Sequence, residues 1–271
     1  MKFDMGAAWR DAVALIGANR EVMAIVAGVF FFLPSLAAVL LVPEMQPPVG
    51  ADPEQVQAFL MEFYVANAPL FVLLGLVQAV GLLTLLSLLR DDSRPTVGDA
   101  LKTALKGLLP YIGTQLIVAV GAVLILTVAV AVPAGLGMGP VAGILAVVAL
   151  PIFLYVLIKL SLVTPVIAIE KQMNPIAILQ RSWRLTKGNS VRLFLFYLLL
   201  GVVFLVAVLV ISIVFGIVFA LLGEGTAFMI ANGILSGLMG AAGTLIFSAI
   251  LAATHRQLAG PSSDRLGETF E

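Results

Sequence analysis

Cysteine is absent from the 271 residues, and histidine occurs once, at position 255. The first absence excludes disulfides, thiolate metal ligands and cysteine nucleophiles. The second removes most histidine-based metal sites and acid–base pairs. Charge is also scarce: Asp, Glu, Lys and Arg make up 11% of the chain, where a soluble domain carries about a quarter. No Asp or Glu falls inside a long apolar run, which argues against proton transport through a buried carboxylate and against a metal-dependent phosphotransferase. The G-x-S-x-G, H-E-x-x-H and P-loop patterns are missing. Ser236 and His255, the one pair that suggests an intramembrane serine protease, lie nineteen residues apart on one predicted helix. That separation is about 28 Å at helical rise, too far to share a proton. No enzymatic activity, cofactor or metal is therefore expected, and a net charge of zero gives no reason to expect a nucleic-acid partner.

What the chain has in abundance is apolar surface, 61% of its residues. One water-soluble core of this length cannot hold so much, so lipid is the expected solvent. A helix crossing the hydrocarbon layer needs about 20 apolar residues. Six runs qualify: Val22–Val42, Leu70–Leu89, Tyr111–Val132, Val141–Ile169, Leu193–Leu222 and Ala227–Ala253. They are continuously apolar, which indicates helices and not alternating barrel strands. The fourth and fifth are long enough to require tilt, a kink or an extension past the core. The first run is expected to be retained, because it ends at Pro43 and not at a small-residue cleavage site.

Basic residues set the direction. Fourteen of the fifteen Lys and Arg residues lie before the first span, between spans two and three, between four and five, or after six; the remaining one is Lys159. The other connections carry only Glu44, Asp52, Glu54, Glu62 and Glu224. By the positive-inside rule both termini are expected on the cytoplasmic side. The fold expected is all-α: a polytopic membrane bundle of six transmembrane helices with amphipathic interfacial helices.

Each odd-numbered span follows a short amphipathic segment that ends near a glycine: Phe3–Gly17, Thr96–Gly107 and Asn174–Gly188. Thr96 and Asp99 have capping-box spacing; Asn174 suits an N-cap, Pro175 a first helical position and Gly188 a stop. The apolar line of the third segment is Ile176, Leu179 and Trp183. These regularities predict one domain of three repeated surface-helix and hairpin units, 1–89, 90–169 and 170–256, followed by a cytoplasmic tail, 257–271. The first external loop adds a helix over Pro53–Ala66. Each surface helix is expected to lie in the headgroup layer.

Three groups of residues carry candidate roles. Arg181, Arg184 and Lys187, with Asn189 at the helix end, place two planar forks and an ammonium where anionic headgroups or phosphodiesters would lie. Plain positive-inside anchoring on an interfacial helix is the simpler explanation and outweighs a dedicated site. Lys159 is the one ionisable residue well inside a span, with Tyr155, Ser161 and Thr164 nearby in sequence and Pro165 freeing a carbonyl. It marks either a polar path or a side chain that snorkels to the interface. Gly233, Gly237 and Gly240 on the sixth span permit close helix packing, within the bundle or against a second copy.

The stretch Pro165-Val-Ile-Ala-Ile-Glu170, then Asn174-Pro175, then Arg181-Ser-Trp-Arg-Leu-Thr-Lys-Gly-Asn189 resembles the signature of the glycerophosphoryl diester phosphodiesterase membrane-domain family. The six-span layout is similar over nearly the whole chain. The resemblance implies a bacterial membrane module, in some members fused to a soluble phosphodiesterase barrel. With one histidine and no room left over, this chain is not expected to carry that barrel, so the resemblance implies no activity. The function expected is a non-enzymatic integral membrane protein that engages membrane lipids, another membrane protein or its own copy through cytoplasmic interfacial helices. The alternatives are a transporter or channel with a polar path near Lys159, and an accessory subunit inactive alone.

Overall fold

The computed structural model describes residues 2–42, 50, 52–90, 95–220 and 225–260. Glu44, Asp91, Asp92, Arg94, Glu224, Arg265 and most of the C-terminal tail lie outside the described residues. The described chain is helical, without strands, and six of its helical stretches are long and apolar enough to cross a membrane. In chain order the helices are α1 (Met5–Ala27), α2 (Leu33–Leu41), α3 (Pro53–Leu88), α4 (Val97–Leu126), α5 (Val132–Gly135) and α6 (Gly139–Lys159). They continue as α7 (Val163–Ala168), α8 (Pro175–Leu185), α9 (Ser190–Ala220) and α10 (Thr226–Ala259).

Two π turns, Gly28–Phe32 and Thr127–Ala131, join α1 to α2 and α4 to α5. Each stands just before a proline, Pro34 and Pro133. A proline ring clashes with the carbonyl four residues earlier, and a wider turn relieves the clash. The backbone N–H groups of Leu33 and Val132 accordingly donate five residues back, to Gly28 and Thr127.

The three glycines that looked equivalent in sequence do three different things. Gly188 has φ +80° and ends the turn between α8 and α9, as a helix stop should. Gly17 is an ordinary helical residue. The break in α1 comes at Asn19, with φ −129° and ψ 16°, where the Asn19 amide donates to the Leu15 carbonyl at 3.1 Å. Gly107 lies inside the unbroken α4, and a Cβ there would stand 2.7 Å from Ile167 Cγ2. It is a packing glycine, so the second surface segment is the end of a span and not a separate helix. The helix expected over Pro53–Ala66 likewise runs on into the second span, through Pro69. Asp52 accepts from the Gln55 N–H and closes a capping box at its start.

Successive spans touch, and α10 closes on α1 and α2, so the six spans form a ring; α10 also reaches α3. Packing is concentrated at the end that carries the basic connections. Leu83, Leu85 and Leu86 of α3, Ala249–Ala253 of α10, Val166 and Ile167 of α7, Ile178 of α8 and Met23 of α1 are buried there. The opposite halves of α4, α6 and α9 expose apolar side chains nearly all round. Gly233 and Gly237 bring α10 against the first span: a Cβ would lie 2.9 Å from Val39 and 3.0 Å from Phe32. Gly240, grouped with them in the sequence reading, has open space around it instead. Gly243, not anticipated, packs under the Phe204 ring, where a Cβ would lie 2.8 Å from the ring edge.

Candidate functional site

The site is organised around a break in the fourth span. Helix α6 stops at Lys159, the chain turns through Leu160–Leu162, and α7 resumes at Val163. Pro165 explains part of this, since it has no N–H to offer the Ser161 carbonyl. Orphan groups at such a break must find partners in a region without water. Helix α8 supplies one. The buried Ser182 hydroxyl donates to the Lys159 carbonyl at 2.8 Å and accepts from the Leu162 N–H at 3.2 Å. Thr186 adds a longer contact to the same carbonyl, 3.4 Å. The Ser182-Trp183 and Leu185-Thr186 part of the motif thus splints the broken span.

Helix α8 can be placed there because its termini are well made. Asn174 accepts from the N–H groups of Ile176 and Ala177, and Pro175 occupies the first turn. At 100° per residue it presents three faces. Ile178, Ser182 and Leu185 are buried. Leu179, Gln180 and Trp183 look into an apolar groove. Arg181 and Arg184 border a smaller pocket. The apolar line Ile176–Leu179–Trp183 is an outward one, with Ile176 and Trp183 exposed. The buried line contains a serine, and hydropathy alone does not find it.

Arg181, Arg184, Lys187 and Asn189 together line the smaller pocket, about 240 Å³, with Leu185 and Leu258. Their freedom differs. Arg181 donates through Nε to both oxygens of Glu170, at 2.9 and 3.0 Å. The Asn189 side-chain oxygen Oδ1 accepts from the Phe3 N–H at 2.8 Å. Arg184 and Lys187 make no ion pair among the described residues.

Glu170 is also reached by His255, whose Nε2 lies 2.8 Å from Oε1. Partial burial pushes the Glu170 carboxyl upward in pKa. Hydrogen bonds from His255 and Arg181, and then their charges, outweigh that effect and hold it at about 2. This junction of α8, α10 and the α7–α8 turn is absent from the sequence reading. The available signal was that the only histidine ends the last span and that Glu170 is the one acid in a strongly basic connection. A second set of contacts docks the N-terminus here. Asp4 and Gln257 exchange two hydrogen bonds, Phe3 meets Phe196 edge-on at 5.4 Å, and Asp11 pairs with Arg256 at 3.0 Å.

Lys159 is 2% exposed, and its ammonium lies 5.4 Å from the Tyr155 ring centroid and 5.5 Å from that of Trp183. The two rings meet edge to face. Tyr155 is therefore beside Lys159, as its one-turn spacing suggested, and Trp183 is an added neighbour. Ser161 turns its hydroxyl back to the Ile158 carbonyl at 2.9 Å, and Thr164 stands past the break in α7. Among the described residues, no three His, Asp or Glu side chains gather closely enough to hold a metal ion. Compared with protein-family models, curated proteins and solved structures, the chain matches none.

Proposed function

We propose that this is a non-enzymatic integral membrane protein of a bacterial inner membrane, with its basic end and both termini cytoplasmic, and that it captures an anionic, phosphate-bearing lipid headgroup. The observation that carries the reading is the shared pocket of Arg184 and Lys187, two cations without an ion-pair partner among the described residues, walled by Arg181 and Asn189. Forked guanidinium and ammonium groups near a membrane surface suit phosphate oxygens. The likeness of Ser182–Asn189 to the phosphodiesterase membrane-domain family supports the same setting. The paired and docked side chains, Arg181 and Asn189, shape the pocket; Arg184 and Lys187 bind.

Vesicle flotation of detergent-purified protein with phosphatidylglycerol or phosphatidylcholine tests this. Arg184→Gln with Lys187→Gln lowers the preference for the anionic lipid by at least about tenfold, given roughly 1 kcal/mol per cation at the surface. An unchanged preference in a folded double variant defeats the reading. The alternative, a transporter or channel beside Lys159, has the break in the fourth span in its favour. Solute flux in reconstituted vesicles that disappears with Lys159→Leu would select it.

A further inference from the structure

Three hydroxyl groups from three different spans converge beside the break in the fourth span. Tyr197 stands two turns into α9, about 10 Å from its start at Ser190. Its ring packs on Phe247 of α10, with centroids 6.2 Å apart. Its hydroxyl is buried and faces Ser161 at the break and Thr254 of α10. Thr254 is itself fully buried. The Ser161 hydroxyl spends its proton on the Ile158 carbonyl, at 2.9 Å, and keeps its lone pairs to accept with. Neither the Tyr197 nor the Thr254 hydroxyl meets a protein partner at hydrogen-bond geometry, and among the described residues these two are the only buried side-chain polar atoms left in that state. Buried hydroxyls are almost always paired, with protein or with ordered water.

We propose that one internal water molecule is bound among these three hydroxyls and ties the broken fourth span to α9 and α10. Tyr197 donates to it, and it donates to the oxygens of Ser161 and Thr254, which makes the three bonds usual for a buried water. The chemistry selects water over an ion. All three hydroxyls are neutral, and the charged groups next to them in sequence are engaged elsewhere. Lys159 is turned to the Tyr155 and Trp183 rings, and His255 is paired with Glu170. An ion at this point would lose its hydration without gaining a counter-charge. The division of labour at the break is then complete: Ser182 of α8 holds the Lys159 carbonyl and the Leu162 N–H, and the water holds Ser161 between them. This site is separate from the Arg184–Lys187 pocket and does not rest on it.

Pulsed X-ray hydroxyl-radical labelling after rapid mixing with heavy-oxygen water tests this, because a bound water forms radicals beside its neighbours and exchanges slowly with bulk. In the detergent-purified full chain, Tyr197 is expected to be labelled and to take up the heavy isotope later than the exposed Tyr64. Thr254→Val keeps the shape and removes one partner; it abolishes the delay and lowers Tyr197 labelling about fivefold, the loss of one hydrogen bond to the water. Thr254→Ser retains both. The sign of the stability change is a second readout. Removing a hydroxyl that water satisfies lowers Tm by roughly 2–4 °C in Thr254→Val and in Tyr197→Phe, whereas removing an orphaned one leaves Tm unchanged or raises it. A Tyr197 signal that follows the bulk isotope without delay overturns the proposal, as does an unchanged or raised Tm in both variants; if neither variant folds, the wild-type labelling alone decides. Stabilisation by sodium chloride and not by choline chloride, lost in Thr254→Val, assigns the site to a cation and also overturns it. Coupling of the two variants in a double-mutant cycle without delayed labelling assigns a direct Tyr197–Thr254 bond, with the same consequence.

Discussion

The hydroxyl of Ser182 donates to the backbone carbonyl of Lys159, twenty-three residues earlier, while accepting from the N–H of Leu162. One side chain thus replaces the helical bonds lost where the fourth span breaks. Ser182→Ala leaves a donor and an acceptor unpaired in a buried site, at a cost of about 1–3 kcal/mol. Thermal unfolding in detergent should show a clear loss of stability, while Ser182→Thr, which keeps the hydroxyl, should lose less. An unshifted alanine variant would mean that Thr186 alone can hold the break.

Acid should loosen the junction at Glu170. Its carboxyl titrates at about 2 in the folded chain against an ordinary value of 4.5, so the unfolded state binds the proton more readily. The stabilisation is complete above about pH 4.5 and is lost as pH falls toward 2. Glu170→Gln should remove most of this dependence and lower stability at neutral pH by about 2 kcal/mol, since Arg181 and His255 lose their shared acceptor. Melting curves between pH 3 and 7 check both. A wild-type transition that is flat across that range would show that the carboxylate contributes nothing.

Neighbouring glycines on one helix should respond oppositely to alanine. At Gly237 a Cβ meets the Phe32 ring at 3.0 Å, whereas at Gly240 it meets nothing within 4 Å. Gly237→Ala is expected to cost about 1–3 kcal/mol through overpacking against the first span. Gly240→Ala should be neutral or stabilise by up to about 1 kcal/mol through helix propensity. Equal effects at both positions would contradict the packing of α10 on the first span at Phe32.

Reporter enzymes fused to chains truncated after Glu62 and after Lys187 should sense opposite sides of the membrane. The first fusion point follows one span and the second follows four. Finding both on one side would break the assignment of the basic connections to a single face.

Hydropathy made the six spans legible because lipid leaves no other place for runs such as Leu193–Ala220. Local chemistry made the ends of α8 legible, since Asn174, Pro175 and Gly188 each satisfy a backbone requirement that only a few residue types meet. The separate surface helices ahead of α4 and the second span were misread. Neither Gly107 nor Pro69 ends a helix here, and whether a glycine stops a helix or admits a neighbour is decided by tertiary contact. The four residues of the basic pocket were adjacent in sequence and stayed together. Glu170 and His255, 85 residues apart, had no local signal of contact. Trp183 against Lys159 required knowing how α8 folds back under the break, which spacing along the chain does not encode.

The buried core forms a collar at one end of the ring, and beyond it the spans have few neighbours of their own. Lipid tails are the side walls of that half. Its shape therefore follows the lateral pressure of the surrounding leaflet, and a thinner or more crowded leaflet would spread or close those rods while every hydrogen bond in the collar stayed intact.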